Sequence, residues 1–224
     1  MTGIAIVTRL RVRSRPTTAV HLTSVSALGG PALVIPYSLA LGVIYWVITA
    51  TMIVFFFVLA VVAVVGLASA GLRDGALLVA ALVSTGFVVY LSWFVIEVLR
   101  KRVVRGALIL SPRGIYHRSW SFDNFLSWDS AVSVTAGELD GQLITVVADE
   151  NAEPQFDRRT RMWKQPELTR VPHMAIRGMC LAINPALALH TLRYYLDQPG
   201  ARQELATEVG VNRVRSGRVV GLPR

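Results

Sequence analysis

Four histidines, one cysteine and a pair of aspartates flanking a predicted strand are the residues of this chain whose types suit chemistry. His21, His117, His173 and His190 show no short metal-ligand spacing, and one cysteine builds no thiolate cluster. His117 and His173 lie in predicted strands and can meet in space, but a half-exposed strand histidine is the plainer reading. Asp123 and Asp129 would suit paired carboxylate catalysis, yet each stands where a turn begins or ends. Cys180 sits in the apolar stretch Met179-Cys180-Leu181-Ala182-Ile183, the setting of an inert buried thiol. No GxSxG elbow, phosphate-binding GxxxxGK[ST] loop or glycine-rich dinucleotide turn occurs. The expectation is a chain with no catalytic residue, no metal ligand and no cofactor.

What remains is electrostatic. Residues 149–166 run from acid to base: Asp149, Glu150, Glu153 and Asp157, then Arg158, Arg159, Arg161 and Lys164 beside Trp163. A connection this long without structure of its own is functional or a solvated loop. In the functional reading the cations meet anionic lipid or an acidic partner while Trp163 inserts. Arg100, Lys101, Arg102 and Arg105 form a second cluster, which serves membrane orientation and can also attract anionic headgroups. The end of the chain adds Arg213, Arg215, Arg218 and Arg224, and residues 207–224 are expected to be a disordered basic tail. The sequence pI of about 10.6 invites a nucleic-acid reading. No basic helical stripe or stacking-aromatic motif accompanies it, so no nucleic acid is expected.

These charges flank a long apolar stretch. No charged residue occurs from Leu22 to Leu72, nor from Gly75 to Ile96. A helix crosses ~30 Å of hydrocarbon in about 20 residues, so the first half of the chain belongs in a bilayer. A signal peptide has an apolar core of only about 7–15 residues, which excludes that reading. Gly29-Gly30-Pro31 and Pro36 place the turn signals early. Residues 1–38 are therefore a basic segment followed, over 22–38, by an interfacial or irregular approach. Residues 39–98 hold two transmembrane helices, about 39–70 and 75–98. Arginines before the first helix (Arg9 to Arg15) and after the second put both termini on the cytoplasmic side of a cell membrane. Gly66-x-x-x-Ala70 and Ala76-x-x-x-Ala80 offer small faces for helix pairing.

After residue 105 the pattern changes to short β-type stretches. Strands are expected at 107–110, 115–119, 120–128, 131–136, 143–148, 169–174 and 179–183. Asn184 as N-cap and Pro185 as first helical residue open a closing helix over about 185–197, with Leu189, Leu192, Tyr195 and Leu196 on one face. That helix must bury its stripe, and the open end of a curled sheet is available.

Three segments carry a resemblance. Leu108-Ile109-Leu110-Ser111-Pro112-Arg113-Gly114-Ile115 resembles the "L-T-x-x-G-[IV]" opening of bacterial pleckstrin-homology-like domains. Leu126-Ser127-Trp128-Asp129-Ser130-Ala131-Val132 resembles their "[IL]-x-W-x-x-[IV]" segment. The Asn184-Pro185 helix ending Tyr194-Tyr195-Leu196-Asp197-Gln198-Pro199, then Arg202-Gln203-Glu204-Leu205, is similar to actinobacterial members with membrane helices ahead of the domain. Ser111 stands where threonine is usual, and Ala131 where a large aliphatic is usual. The resemblance covers residues 105–206. It implies a membrane-anchored α+β protein: a two-helix hairpin, then a PH-like curled antiparallel β-barrel capped by a helix. It implies no enzymatic activity. The expected role is a cytoplasmic scaffold or protein-interaction module, with anionic-headgroup sensing or an accessory-subunit role as alternatives. Its expected partners are membrane lipids and a protein or a second copy.

Overall fold

The computed structural model of the protein describes residues 17–25, 28–70, 74–138, 142–152, 155–160 and 173–219. The fold is α+β, and the chain divides into two compact units, Leu39–Val103 and the residues on either side of it.

The first unit is a helical hairpin. Helix α1 (Leu39–Ala70) contains neither proline nor charge, so nothing interrupts its backbone ladder. Helix α2 (Gly75–Leu99) begins where the Asp74 carboxylate accepts hydrogen bonds from the Ala76 and Leu77 amides, at 3.1 and 3.2 Å. The helices meet through aromatic rings and one small residue. Phe56 stacks on Phe87 at 4.5 Å, Trp46 lies 6.0 Å from Phe94, and a methyl on Gly66 would come within 3.1 Å of a Leu77 methyl. Phe55, Phe57, Val62, Val65, Leu82 and Val89 point outward without cover. Both helices are long and apolar enough to cross a membrane.

The second unit is built from antiparallel sheets. Strands β1 (His21–Val25), β2 (Gly30–Pro36), β3 (Ala107–Ser111), β4 (Gly114–Arg118) and β5 (Phe122–Ser127) run in that order, with β8 (Gln155–Arg158) at the far edge. Strands β6 (Ala131–Glu138), β7 (Gln142–Ala148) and β9 (Met174–Arg177) form a second sheet. These ladders do not close into a barrel among the described residues. An isolated bridge, Tyr37 to Leu181, joins their corner, reinforced by Ser38 N–H to Cys180 O and Ala182 N–H to Pro36 O.

The two sheets share one core. Leu33, Ile35, Leu108, Leu110, Ile115 and Leu126 meet Val134, Ile144, Val146, Met174 and Ile176. Helix α3 (Pro185–Asp197) closes it with Ala188, Leu192 and Tyr195; the Asn184 side chain caps it by accepting from Ala186 N–H at 2.9 Å.

Several expectations need correction. Residues 22–38 are not an interfacial approach: they supply β1 and β2, and β2 pairs with β3 from Leu33↔Leu110 to Pro36↔Ala107. The domain therefore does not begin at 105; the helical hairpin is an insertion between two neighbouring strands. Residues 207–219 are not a disordered tail. Helix α4 (Glu208–Arg215) buries Val211 and Val214, its Arg213 pairs with Glu204 at 2.7 Å, and its Arg215 donates to Val20 O. The expected strand 179–183 is a 3-10 turn, Gly178–Cys180, followed by the Leu181 bridge. The expected strand 169–174 lies almost wholly outside the described residues; β9 starts at Met174. Trp128 belongs to a 3-10 turn, Trp128–Ser130, that lets the chain change sheets.

Candidate functional site

The described basic residues engage their own units one by one. Arg100 closes α2 through its backbone amide to Ile96 O, and Lys101 follows in the left-handed region at φ 56°. Arg102 pairs with Glu97 at 3.2 Å within the hairpin. Arg105 belongs to the other unit, where Nε and Nη2 both donate to Tyr37 O, at 2.9 and 2.5 Å. Arg158 donates to Thr160 O, and Arg159 to Ser119 O and the Asp123 carboxylate. Arg161, Trp163 and Lys164 lie outside the described residues. Arg105, Arg158 and Arg159 thus each spend donors on the domain's own backbone, orienting segments that join its strands.

Arg105 is part of a clamp around Tyr37, where β2 leads out toward the hairpin. Tyr37 N–H donates to Gly106 O, and the Tyr37 hydroxyl shares a 2.7 Å hydrogen bond with Nε2 of His117 on β4. Gly106 is required by this approach, since a Cβ there would stand 2.5 Å from the Tyr37 ring. His117 is buried and Phe122 meets it edge-on at 5.7 Å. Burial pushes its pKa down to about 4. His173 does not join it; its Nδ1 accepts from Ala148 N–H at 3.2 Å. Asp129 is exposed and weakly paired with Arg202 at 3.5 Å.

A stability change with pH follows. The unfolded His117 binds a proton near pH 6.5 and the folded one only near pH 4, so acid favours the unfolded state. Its contribution is fully present above pH 6.5 and lost as pH falls from 6.5 to 4, about 3 kcal/mol in all. Urea midpoints of the detergent-solubilised chain should fall over this window, and less steeply in His117→Gln. Equal slopes in the two proteins would remove the assignment.

The outer face of β4, β5 and β8 carries a cleft of about 490 Å³. Alternation puts Tyr116, Phe125 and Gln155 side by side, then Asp123 beside Asp157, with Arg113 at the opposite end. Asp123 is held by Arg159 at 3.1 Å and approached by Arg118 at 3.9 Å. Burial nonetheless pushes its carboxyl up, outweighing the Arg159 guanidinium. Burial likewise raises the Tyr116 phenol, with the Asp123 charge adding to it. All four β8 residues are exposed, and among the described residues no strand pairs with its outer side.

A second cleft, of about 520 Å³, is lined by Arg213 and Arg215 on α4 and by Ser216 and Arg218 in the turn after it. Arg213 is already bound to Glu204 and Arg215 to Val20 O, and the carbonyl end of a helix disfavours an anion. Among the described residues, no three His, Cys, Asp or Glu side chains gather to hold a metal.

The Tyr37–His117 pair and the cleft escaped sequence reasoning. The pair joins residues 80 positions apart, one of them in the segment read as an interfacial or irregular approach. In the sequence, residues 120–128 read only as a strand, and of its aromatics Phe125 alone lines the cleft. Comparison with known proteins gives no counterpart: no family model matches the chain, and neither a curated protein nor a solved structure matches it.

Proposed function

We infer that this protein is a bilayer-anchored, non-catalytic scaffold whose β-rich domain is a PH-like module presented to a protein partner at the cytoplasmic face. The observation that carries this is the pairing of β2 with β3 across the inserted hairpin. Strands hydrogen-bonded in one sheet lie on one side of any bilayer their connection crosses, so the hairpin crosses an even number of times. That argument is independent of charge. The flanking arginines, Arg9 to Arg15 and Arg100 to Arg105, then select the cytoplasmic side.

The PH-like reading is supported by antiparallel sheets around one core, closed by a helix with an asparagine cap. Arg158 and Arg159, bonded within the domain, favour a scaffold over a headgroup sensor. A tether also raises local concentration, so weak contacts with other membrane-bound proteins become populated.

Two measurements test the reading. Reporters fused before Met1 and after Arg224 should both be active only inside the cell; an active external reporter at either end sinks the topology. Crosslinking in intact cells should capture the same protein repeatedly through the β-rich domain. Recovery of lipid adducts alone would argue for the headgroup reading instead.

A further inference from the structure

We propose that Arg100 and Lys101, at the end of α2, bind the phosphate of an anionic phospholipid, beside a belt of exposed aromatic rings that fixes their depth. This rests on the bilayer-anchor reading and names the lipid that the anchor selects.

The rings set the level. Every tyrosine and tryptophan of residues 39–99 lies toward one end of the hairpin, Tyr45 and Trp46 early in α1, Tyr90 and Trp93 late in α2. All four are 43–50% exposed, and the Trp46–Phe94 contact brings the two ends together. Such rings settle at the boundary between hydrocarbon and headgroups. Arg100 follows Trp93 after about 10 Å of helix, a distance that carries it into the headgroup layer.

The four cations at this end differ in what they hold. Arg102 pairs with the buried Glu97, and Arg105 donates to Tyr37 O. Arg100 and Lys101 are exposed, and the hydrogen bonds they make among the described residues come from their backbone amides. α2 closes in a turn where Lys101 N–H donates to Val98 O at 2.9 Å and Arg102 N–H to Glu97 O at 3.0 Å. The residue that makes this turn takes the left-handed conformation, and glycine is its usual occupant. Here Lys101 takes it, at φ 56°, the one non-glycine with positive φ among the described residues. Orientation in the membrane needs charge near the helix end, but not at this strained position. A lysine kept where glycine is easier points to a use for its ammonium.

The two groups suit one phosphodiester. The guanidinium donates to two phosphate oxygens at once, and the ammonium adds a compact charge. The Ile96, Glu97 and Val98 carbonyls already accept hydrogen bonds, so the helix end does not meet the anion with bare oxygens. The lipid chains have the uncovered Ile96 and Leu99 beside them. A choline headgroup carries its own cation and gains less from the same site.

The test titrates the full chain in detergent micelles with dioleoylphosphatidylglycerol or dioleoylphosphatidylcholine, counting bound lipid by native mass spectrometry. The glycerol lipid should bind more tightly. Lys101→Gly and Arg100→Gln should each weaken it about fivefold, leaving the choline lipid unchanged, and Lys101→Arg should retain it. Lys101→Gly suits the turn better than the native residue, so a loss of binding without a loss of helical circular dichroism is not a folding defect. Equal affinity for the two lipids would overturn the proposal, while the anchor reading would still stand or fall by the terminal reporters. A preference that survives the double substitution would place the lipid elsewhere and also overturn it. So would displacement of the lipid by a roughly tenfold excess of glycerol 3-phosphate, which would assign the cations to a soluble phosphate.

Discussion

Deleting residues 1–38 will leave the β-rich domain unfolded, whereas replacing residues 39–103 with a short glycine- and asparagine-containing turn will give a folded, soluble domain. The first half of this expectation rests on β2. Ala32, Leu33 and Ile35 are fully buried, and Val20 is buried under α4. Each large aliphatic contributes about 1.5–3 kcal/mol by leaving water. Without β2, the inner edge of β3 also loses its ladder partner, and Arg105 and His117 lose the Tyr37 groups they bind. Together these losses rival the roughly 5–15 kcal/mol that holds an ordinary domain together. The second half follows from register. Pro36 faces Ala107 across the sheet, so only a hairpin-sized connection is needed between Ser38 and Val104. Far-UV circular dichroism, a cooperative urea transition and a monomeric elution volume are the measurements. A truncated chain lacking 1–38 that still unfolds cooperatively would show that β2 is dispensable and the insertion incidental.

The second large effect belongs to Trp128. Its ring is enclosed by the shared core, its Nε1–H donates to Ser111 O at 2.7 Å, and Arg202 lies over its face at 5.3 Å. Trp128→Ala opens a cavity and should cost about 3–5 kcal/mol. Trp128→Phe keeps most of the apolar contact but leaves the Ser111 carbonyl without its donor, at about 1–3 kcal/mol. Urea titration of the full chain in micelles separates the two, provided the slope of the transition is unchanged. Val132→Ala, at a largely exposed position on β6, is the control. Trp128 variants no less stable than that control would mean the indole is not part of the core.

Much of the architecture could be read from local rules. Helices α1 and α2 announce themselves by length and by absence of charge, and Asp74 begins α2 through a capping interaction that involves only neighbours. Asn184-Pro185 starts α3 for the same local reason. The Ser111-Pro112-Arg113-Gly114 turn between β3 and β4 is equally self-contained: the Ser111 hydroxyl accepts from Gly114 N–H at 3.2 Å. The candidate site was far less legible. Arg158 and Arg159 look like free cations in the sequence, and only the fold shows their guanidinium groups turned onto Thr160, Ser119 and Asp123. The tail misled in the opposite direction, because the apolar pair Val211 and Val214 on one turn of α4 was outweighed by the surrounding arginines.

β2 was invisible for a deeper reason. A strand covered on both faces and a helix immersed in lipid meet the same requirement, side chains without charge, so Leu22–Leu72 reads as one continuous apolar run. Composition and short-range chemistry determined that this chain has two helices fit for a bilayer, a β-rich remainder and a capped helix at its end. Tertiary structure alone decided that the hairpin interrupts a sheet, that Tyr37 finds His117, and that Arg159 turns onto Ser119 and Asp123. Those outcomes depend on which strands pair, and pairing is settled by burial summed over the whole domain, which no local window of residues contains.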